Sequence, residues 1–255
     1  LFANYNLNTT FVSTNKISLT QNFIFMKNKN ILLAAIVGLA SVFSSSMKAQ
    51  VDSTSSPFSV GADFYSSYLW RGSQFGTGPA FQPSVKFTSG GLTAGVWGSF
   101  DAAGYKEVDP YISYSLPMGL SLGITDYYYG GDISKTDKVG GSHAFEGNLG
   151  FAKGSLSLSA NYIFNEASLD STGTGAGSAG GDMYFQLGYA FKYFNVFVGA
   201  GDGWHTSDTD FAICNVGIGT SKTIKITDSF SIPVSGQIVV NPEKKKLFMV
   251  VGFTL

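Results

Sequence analysis

The 255-residue chain has a single cysteine, Cys214, so no disulfide framework can hold it together. No cysteine stands near the signal-like segment to carry a lipid, so a covalent lipoprotein is not expected. Two histidines, His143 and His205, cannot build a histidine-rich metal site. Charge is scarce: Asp, Glu, Lys and Arg make up 13% of the residues, against about 25% in soluble domains. Sixteen Lys and Arg face 17 Asp and Glu, so no broad basic surface awaits nucleic acid. Long apolar helices are missing after residue 50. What is plentiful is glycine, with 32 residues, and aromatics, at 15%. A disordered chain would not carry that much Phe and Tyr. The remainder is a glycine-rich, aromatic-rich, charge-poor β protein.

The first fifty residues read separately. Met26 opens a positive segment with Lys27 and Lys29, followed by the apolar run Ile31–Phe43 and then Ser44 to Gln50. That is the order of a secretory signal, with cleavage expected after Ala49. The apolar run is shorter than the roughly 20 residues a spanning helix needs. The expected organisation is a gene-model extension over 1–25, a signal peptide over 26–49 and a folded unit over 50–255. Cleavage would leave 12 basic residues against 17 acidic ones, a net charge of -5.

Beyond residue 50, apolar and polar residues alternate with period two. Leu156, Leu158, Ala160, Tyr162 and Phe164 alternate with Ser157, Ser159, Asn161 and Ile163. Twelve such runs are expected, near 58–69, 79–88, 92–101, 106–116, 120–129, 143–152, 155–165, 181–191, 194–202, 210–221, 230–240 and 246–255. Their usual length, about 9–11 residues, suits a tilted strand crossing a bilayer, and an even number suits a single-chain outer-membrane barrel. The connections alternate too. Ser89-Gly90-Gly91, Pro117-Met118-Gly119, Lys153-Gly154 and Lys192-Tyr193 are tight turns. The connections at 130–142, 166–180 and 203–209 are longer and polar. A membrane barrel alternates in this way because its two ends face different compartments. The expected fold is therefore all-β: a closed, antiparallel, up-and-down transmembrane barrel of about twelve strands. Both termini and the short turns would lie in the periplasm, with a longer turn at 222–229 as the exception.

Alternation alone does not say which stripe faces out. Composition does, because a soluble exterior would need many more charges. The polar stripe is mostly Ser, Thr, Asn, Gln, Gly and Tyr, which suits a narrow bore. Aromatics near the expected strand ends suggest interfacial girdles: Tyr65, Tyr68 and Trp70; Tyr127, Tyr128 and Tyr129; Tyr189, Phe191, Tyr193 and Phe194. The last run, Leu247, Met249, Val251, Phe253 and Leu255, is similar to the C-terminal strand that outer-membrane barrels present to their assembly machinery.

The segment Ser66-Ser67-Tyr68-Leu69-Trp70-Arg71-Gly72, followed by Gly78-Pro79-Ala80-Phe81-Gln82-Pro83, resembles the opening of the TorF-type porins. These are Gram-negative outer-membrane proteins first catalogued as conserved and of unknown function. The similarity continues through Gly95-Val96-Trp97-Gly98-Ser99, Glu107-Val108-Asp109-Pro110-Tyr111 and Gly123 to Tyr129. It is close over 58–129 and loose afterwards. The resemblance implies an outer-membrane barrel with a pore and supplies no solute.

Parity assigns faces. With Phe81, Val85 and Phe87 toward lipid, the candidate pore-lining residues are Asp63, Arg71, Gln82, Lys86, Trp97, Glu107, Asp109, Tyr111, Glu146, Asn161, Gln186, Asn215 and Gln237. A Lys or Arg facing lipid at the midplane costs about 2–4 kcal/mol, so charges within spans should face inward or sit at a rim. Asp63, Glu107, Asp109 and Glu146 against Lys86 and Arg71 would favour cations; alternatively, these charges pair and plug the bore. His205-Thr206-Ser207 has the His-x-Ser spacing of the outer-membrane phospholipase, but a polar loop explains it and no enzyme activity is expected. Asp202, Asp208 and Asp210 read as solvated loop residues rather than a Ca²⁺ site. Cys214 falls on the apolar stripe with Val216 and Ile218. Pro83, Pro110 and Pro233 inside strands suggest bulges. The expected function is passive diffusion of small polar solutes or ions through the outer membrane, without cofactor; the alternative is a non-conducting barrel whose external loops bind a partner.

Overall fold

The computed structural model describes residues 56–137, 140–169 and 177–255; the leader reading lies outside them. Twelve long strands follow one another: β1 (Phe58–Tyr65), β2 (Ala80–Ser89), β3 (Leu92–Asp101), β4 (Lys106–Ser115), β5 (Leu120–Gly131), β6 (Gly141–Lys153), β7 (Leu156–Ile163), β8 (Met183–Ala190), β9 (Asn195–Gly201), β10 (Ala212–Lys225), β11 (Ser231–Asn241) and β12 (Lys246–Thr254). Each pairs antiparallel with its chain neighbours, and β1 closes on β12 through Asp63↔Thr254, Phe64↔Phe253 and Tyr65↔Gly252. The result is a closed twelve-stranded barrel, as expected.

The faces follow from the pleat, which sends alternate side chains to opposite sides. Val60, Val85, Val96, Ile112, Leu149, Leu187, Ile218, Ile238 and Met249 stand exposed on the outer wall. Gln82, Ser99, Glu107, Asp109, Glu146, Asn161, Asn215 and Gln237 are buried on the inner one. A soluble barrel has the reverse arrangement, because exposing this much apolar surface to water is unfavourable.

Several details depart from the sequence reading. The first barrel strand stops at Tyr65 and does not run on to residue 69. Tyr68–Trp70 pairs instead with Ser73–Phe75 in a separate two-stranded hairpin. The signal was the loss of alternation: Tyr68, Leu69 and Trp70 are three consecutive large apolar residues, and all three are buried. The aromatic groups also divide. Tyr189, Phe191, Tyr193 and Phe194 are exposed around the short-turn end, where a girdle belongs. Tyr65, Tyr68, Trp70, Tyr127 and Tyr129 are buried inside instead. Tyr127 and Tyr129 share the inward parity of β5, and Tyr68 and Trp70 travel with the hairpin.

The prolines leave the register intact: Pro83 stays opposite Ala62, Pro110 opposite Val96 and Pro233 opposite Thr223. Register shifts occur elsewhere, at Gly199/Ala200 and at Tyr128/Gly131. The first leaves Cys214 as the extra residue of a bulge, so Cys214 and Asn215 are both buried while Ile213 and Val216 stay outside. Cys214 is therefore off the apolar stripe, displaced by one residue. The rule that charges face inward also has an exception. Asp126 has outward parity on β5 and pairs with His143 Nδ1 at 2.9 Å. Stacking of Tyr128 and Phe145 on the imidazole, with ring centroids 4.6 and 6.0 Å away, shelters the pair on the outer wall.

Candidate functional site

A barrel of about eight strands is filled by its own wall side chains. Twelve strands enclose more, and this chain fills part of the extra space with the hairpin between β1 and β2. Its base is tied to the rim. The Ser66 amide donates to the Val251 carbonyl at 2.8 Å, and the Thr77 amide donates to Asp101 Oδ2 at 2.9 Å. Its arms carry Tyr68 and Trp70 against Tyr127, Tyr129, Ala144, Ile163 and Ala167 in one buried cluster. Burying each of these two rings contributes roughly 1.5–3 kcal/mol. Phe75, Trp97, Tyr105 and Trp204 pack around that cluster.

Arg71 and Gly72 form the tip, both in the left-handed region, with φ of 46° and 79°. Glycine is required at the second position, because a Cβ on Gly72 would be driven into the carbonyl oxygen of Cys214. The tip is fastened on one side by Asn241 Nδ2, which donates to the Gly72 carbonyl at 3.1 Å, and by Lys244 Nζ, 2.9 Å from Ser73 Oγ.

On the other side Arg71 donates Nη1 to Glu146 Oε1 at 2.6 Å and Nη2 to Glu146 Oε2 at 2.8 Å. Glu146 lies on β6 and Tyr184 on β8, half-way round the ring from the β1–β2 pair that carries the hairpin. The hairpin thus crosses the bore and reaches the far wall. The guanidinium is sandwiched, 4.5 Å from the centroid of Trp70 and 4.4 Å from that of Tyr184. Arg71 is 8% exposed and Glu146 fully buried. Burying both ions is costly, and only this two-pronged geometry with further hydrogen bonds offsets it. Glu146 has those bonds, from Tyr127 Oη at 2.8 Å and Asn148 Nδ2 at 2.7 Å. Tyr184 is held as well: its hydroxyl donates to Gln186 Oε1 at 2.7 Å and accepts from Asn215 Nδ2 at 2.8 Å.

His205 completes the surround. Its Nε2 lies 3.0 Å from Trp204 Nε1 and 3.5 Å from Arg71 Nη1. Both neighbours can only donate, so Nε2 accepts, the ring is neutral, and its proton is on Nδ1. This dismantles the His-x-Ser reading. His205 is buried inside the barrel, whereas the Ser207 amide donates to Glu243 Oε1 at the exposed loop. Asp202 and Asp208 accept backbone amides, from Met183 and Asp210, and no group of three or more potential metal ligands occurs among the described residues.

The other candidate residues line the wall at separate places. Asp63 sits at the β1–β12 seam, where it accepts from Thr254 Oγ1. Gln82 Nε2 donates to Ser99 Oγ at 3.2 Å, with Lys86 half-buried along the same face. Glu107 and Asp109 are neighbours on the inner face of β4; Tyr105 Oη donates to Glu107 at 2.7 Å and the Tyr128 amide to Asp109 at 3.3 Å. Trp97 is the cross-strand partner of Asp109, and Tyr111 follows on β4. Asn161, Gln186 and Asn215 join the network below Tyr184, and Gln237 is buried on β11. Arg71 and Glu146 meet as a buried ion pair. Arg71 does so from a hairpin tip and not from strand 1. Sequence reasoning missed Tyr127, Tyr184 and His205 as partners of this ion pair, because the hairpin's return into the barrel has no signature beyond the broken alternation.

No family model matches the chain, and no curated protein matches it. The resemblance to TorF-type porins therefore stands on its own residues. Among solved structures the chain is similar to engineered variants of the Rhodopseudomonas blastica porin. One variant is 17% identical with a TM-score of 0.38, and a triple mutant is 16% identical with a TM-score of 0.39. In both, the likeness covers 69% of this chain and 55% of the porin. The chain thus spans about half the length of those porins, and a likeness this remote says nothing of solute or mechanism.

Proposed function

We propose that this chain is an outer-membrane porin that lets small polar solutes or ions diffuse through a bore narrowed by its own first long loop. One observation carries the reading: the wall is apolar outside and polar inside around a closed ring. Hydrocarbon is the solvent that such an exterior fits, and a closed barrel is one of two structures that satisfy every backbone group within it. The long-loop end would face the exterior and the short-turn end the periplasm. A cleaved signal would deliver the chain, and the C-terminal strand β12 would engage the assembly machinery. No covalent chemistry and no cofactor are assigned.

With Arg71 paired to Glu146, the remaining candidates are three carboxyl groups, Asp63, Glu107 and Asp109, against one amine, Lys86, and because Glu107 and Asp109 lie buried side by side their pull on cations is mild. Reconstituted in planar bilayers across a potassium chloride gradient, the protein should give current steps with mild cation preference. Clear anion selectivity would remove these acids from the conduction path. The hairpin across the bore favours a second reading, a non-conducting barrel whose external loops bind a partner. Correctly folded protein that gives no current steps would select it.

A further inference from the structure

The surroundings of Arg71 are those of a bound ligand. A guanidinium is recognised by a carboxylate that meets two of its N–H groups in parallel and by aromatic faces above and below. Here Glu146 supplies the first, at 2.6 and 2.8 Å, and Tyr184 supplies one face at 4.4 Å. His205 Nε2, an acceptor, stands 3.5 Å from Nη1. All three belong to the barrel wall and its β9–β10 loop, not to the hairpin. Wall neighbours hold the carboxylate independently of Arg71, through Tyr127 Oη and Asn148 Nδ2. Tyr184 lies over Gly199, where a Cβ would strike the ring, so its position is set by β9. Glu146 and Tyr184 are thus held by wall residues, whereas Trp70 arrives with the hairpin and packs against Trp204 and His205.

We propose that Glu146, Tyr184 and His205 form a guanidinium-binding site in the bore, which Arg71 fills as an internal ligand. A guanidinium-bearing solute competes for it when the hairpin withdraws. The inference deepens the porin reading by naming a solute class, but its test needs no current. Methylguanidinium is the probe. In lipid vesicles, Arg71→Ala should unfold at a lower temperature than the wild type, and millimolar methylguanidinium should restore part of the loss. The wild type, its cradle occupied, should not respond. Methylammonium, which cannot meet both carboxylate oxygens in parallel, should rescue less. In the double variant Arg71→Ala/Glu146→Gln, the half-saturating methylguanidinium concentration should rise about tenfold or more, as expected for losing a charged acceptor.

Folded Arg71→Ala that ignores methylguanidinium would overturn the site, as would rescue of equal strength in the double variant or an equal response in the wild type. Should Arg71→Ala not fold, Arg71→Gln carries the same titration. Folding of either only in the presence of methylguanidinium supports the site, and failure of both in its presence overturns it. A rescue without current would retain the site and reject the channel; current without rescue would do the opposite.

Discussion

Glu146→Ala should lower the free energy of unfolding by about 3–5 kcal/mol, the usual cost of orphaning one partner of a buried ion pair. The loss arises because Arg71 would remain at the far wall with no anion, between two rings that cannot replace a carboxylate. The apolar double variant Arg71→Met/Glu146→Leu should cost much less, since replacing both ions with side chains of similar volume removes both desolvation penalties. Urea titration in lipid vesicles, followed by the fluorescence of Trp70, Trp97 and Trp204, reads both. The hairpin has a second way to relieve an orphaned Arg71, which is to leave the bore. That route limits the stability loss and raises the conductance. Wild-type stability together with wild-type conductance in Glu146→Ala would show that the pair does not hold the hairpin in place.

Val96→Arg should be nearly as damaging, for a different reason. Val96 is 43% exposed at the middle of the outer row of β3, between Leu92 and Ala94 on one side and Gly98 and Phe100 on the other. If hydrocarbon surrounds this wall, an arginine there costs about 2–4 kcal/mol at the bilayer midplane. Val96→Thr should be far milder. In a water-soluble barrel the same arginine would be neutral or would improve solubility, because an exposed valine would be traded for a solvated charge. Assembly into vesicles, read by heat-modifiable mobility on gels, separates the two cases. A Val96→Arg barrel that assembles like the wild type would refute a lipid-facing outer wall.

Much of the fold was legible because a strand crossing a bilayer obeys a strict rule. Period-two alternation, runs of similar length and alternating short and long connections located all twelve strands and their faces. Gln82, Glu107, Asp109, Glu146, Asn161 and Asn215 were assigned inward by parity alone, and they are buried on the inner wall. One failure falls where the period breaks, and others where chain position or the charge rule was put ahead of parity. One extra residue at the Gly199/Ala200 irregularity moves Cys214 off its stripe, and periodicity does not register an insertion of one. Tyr127 and Tyr129 were read as girdle residues from their place in the chain, though their parity pointed inward. Asp126 carries outward parity, and its pairing with His143, itself stacked on Tyr128, depends on the neighbouring strand β6.

The sequence by itself determined that this chain is a closed β-wall with a greasy outside and a wet inside, since those properties follow from each strand's own pattern. Tertiary structure alone decided what fills the bore. Arg71 and Glu146 are 75 positions apart, and their meeting requires that the ring close and that the first loop fold back across it. A local pattern encodes which way a side chain points from its own strand. Which residue it meets across an enclosed space depends on ring size and loop path, and these exist only once all twelve strands are in place.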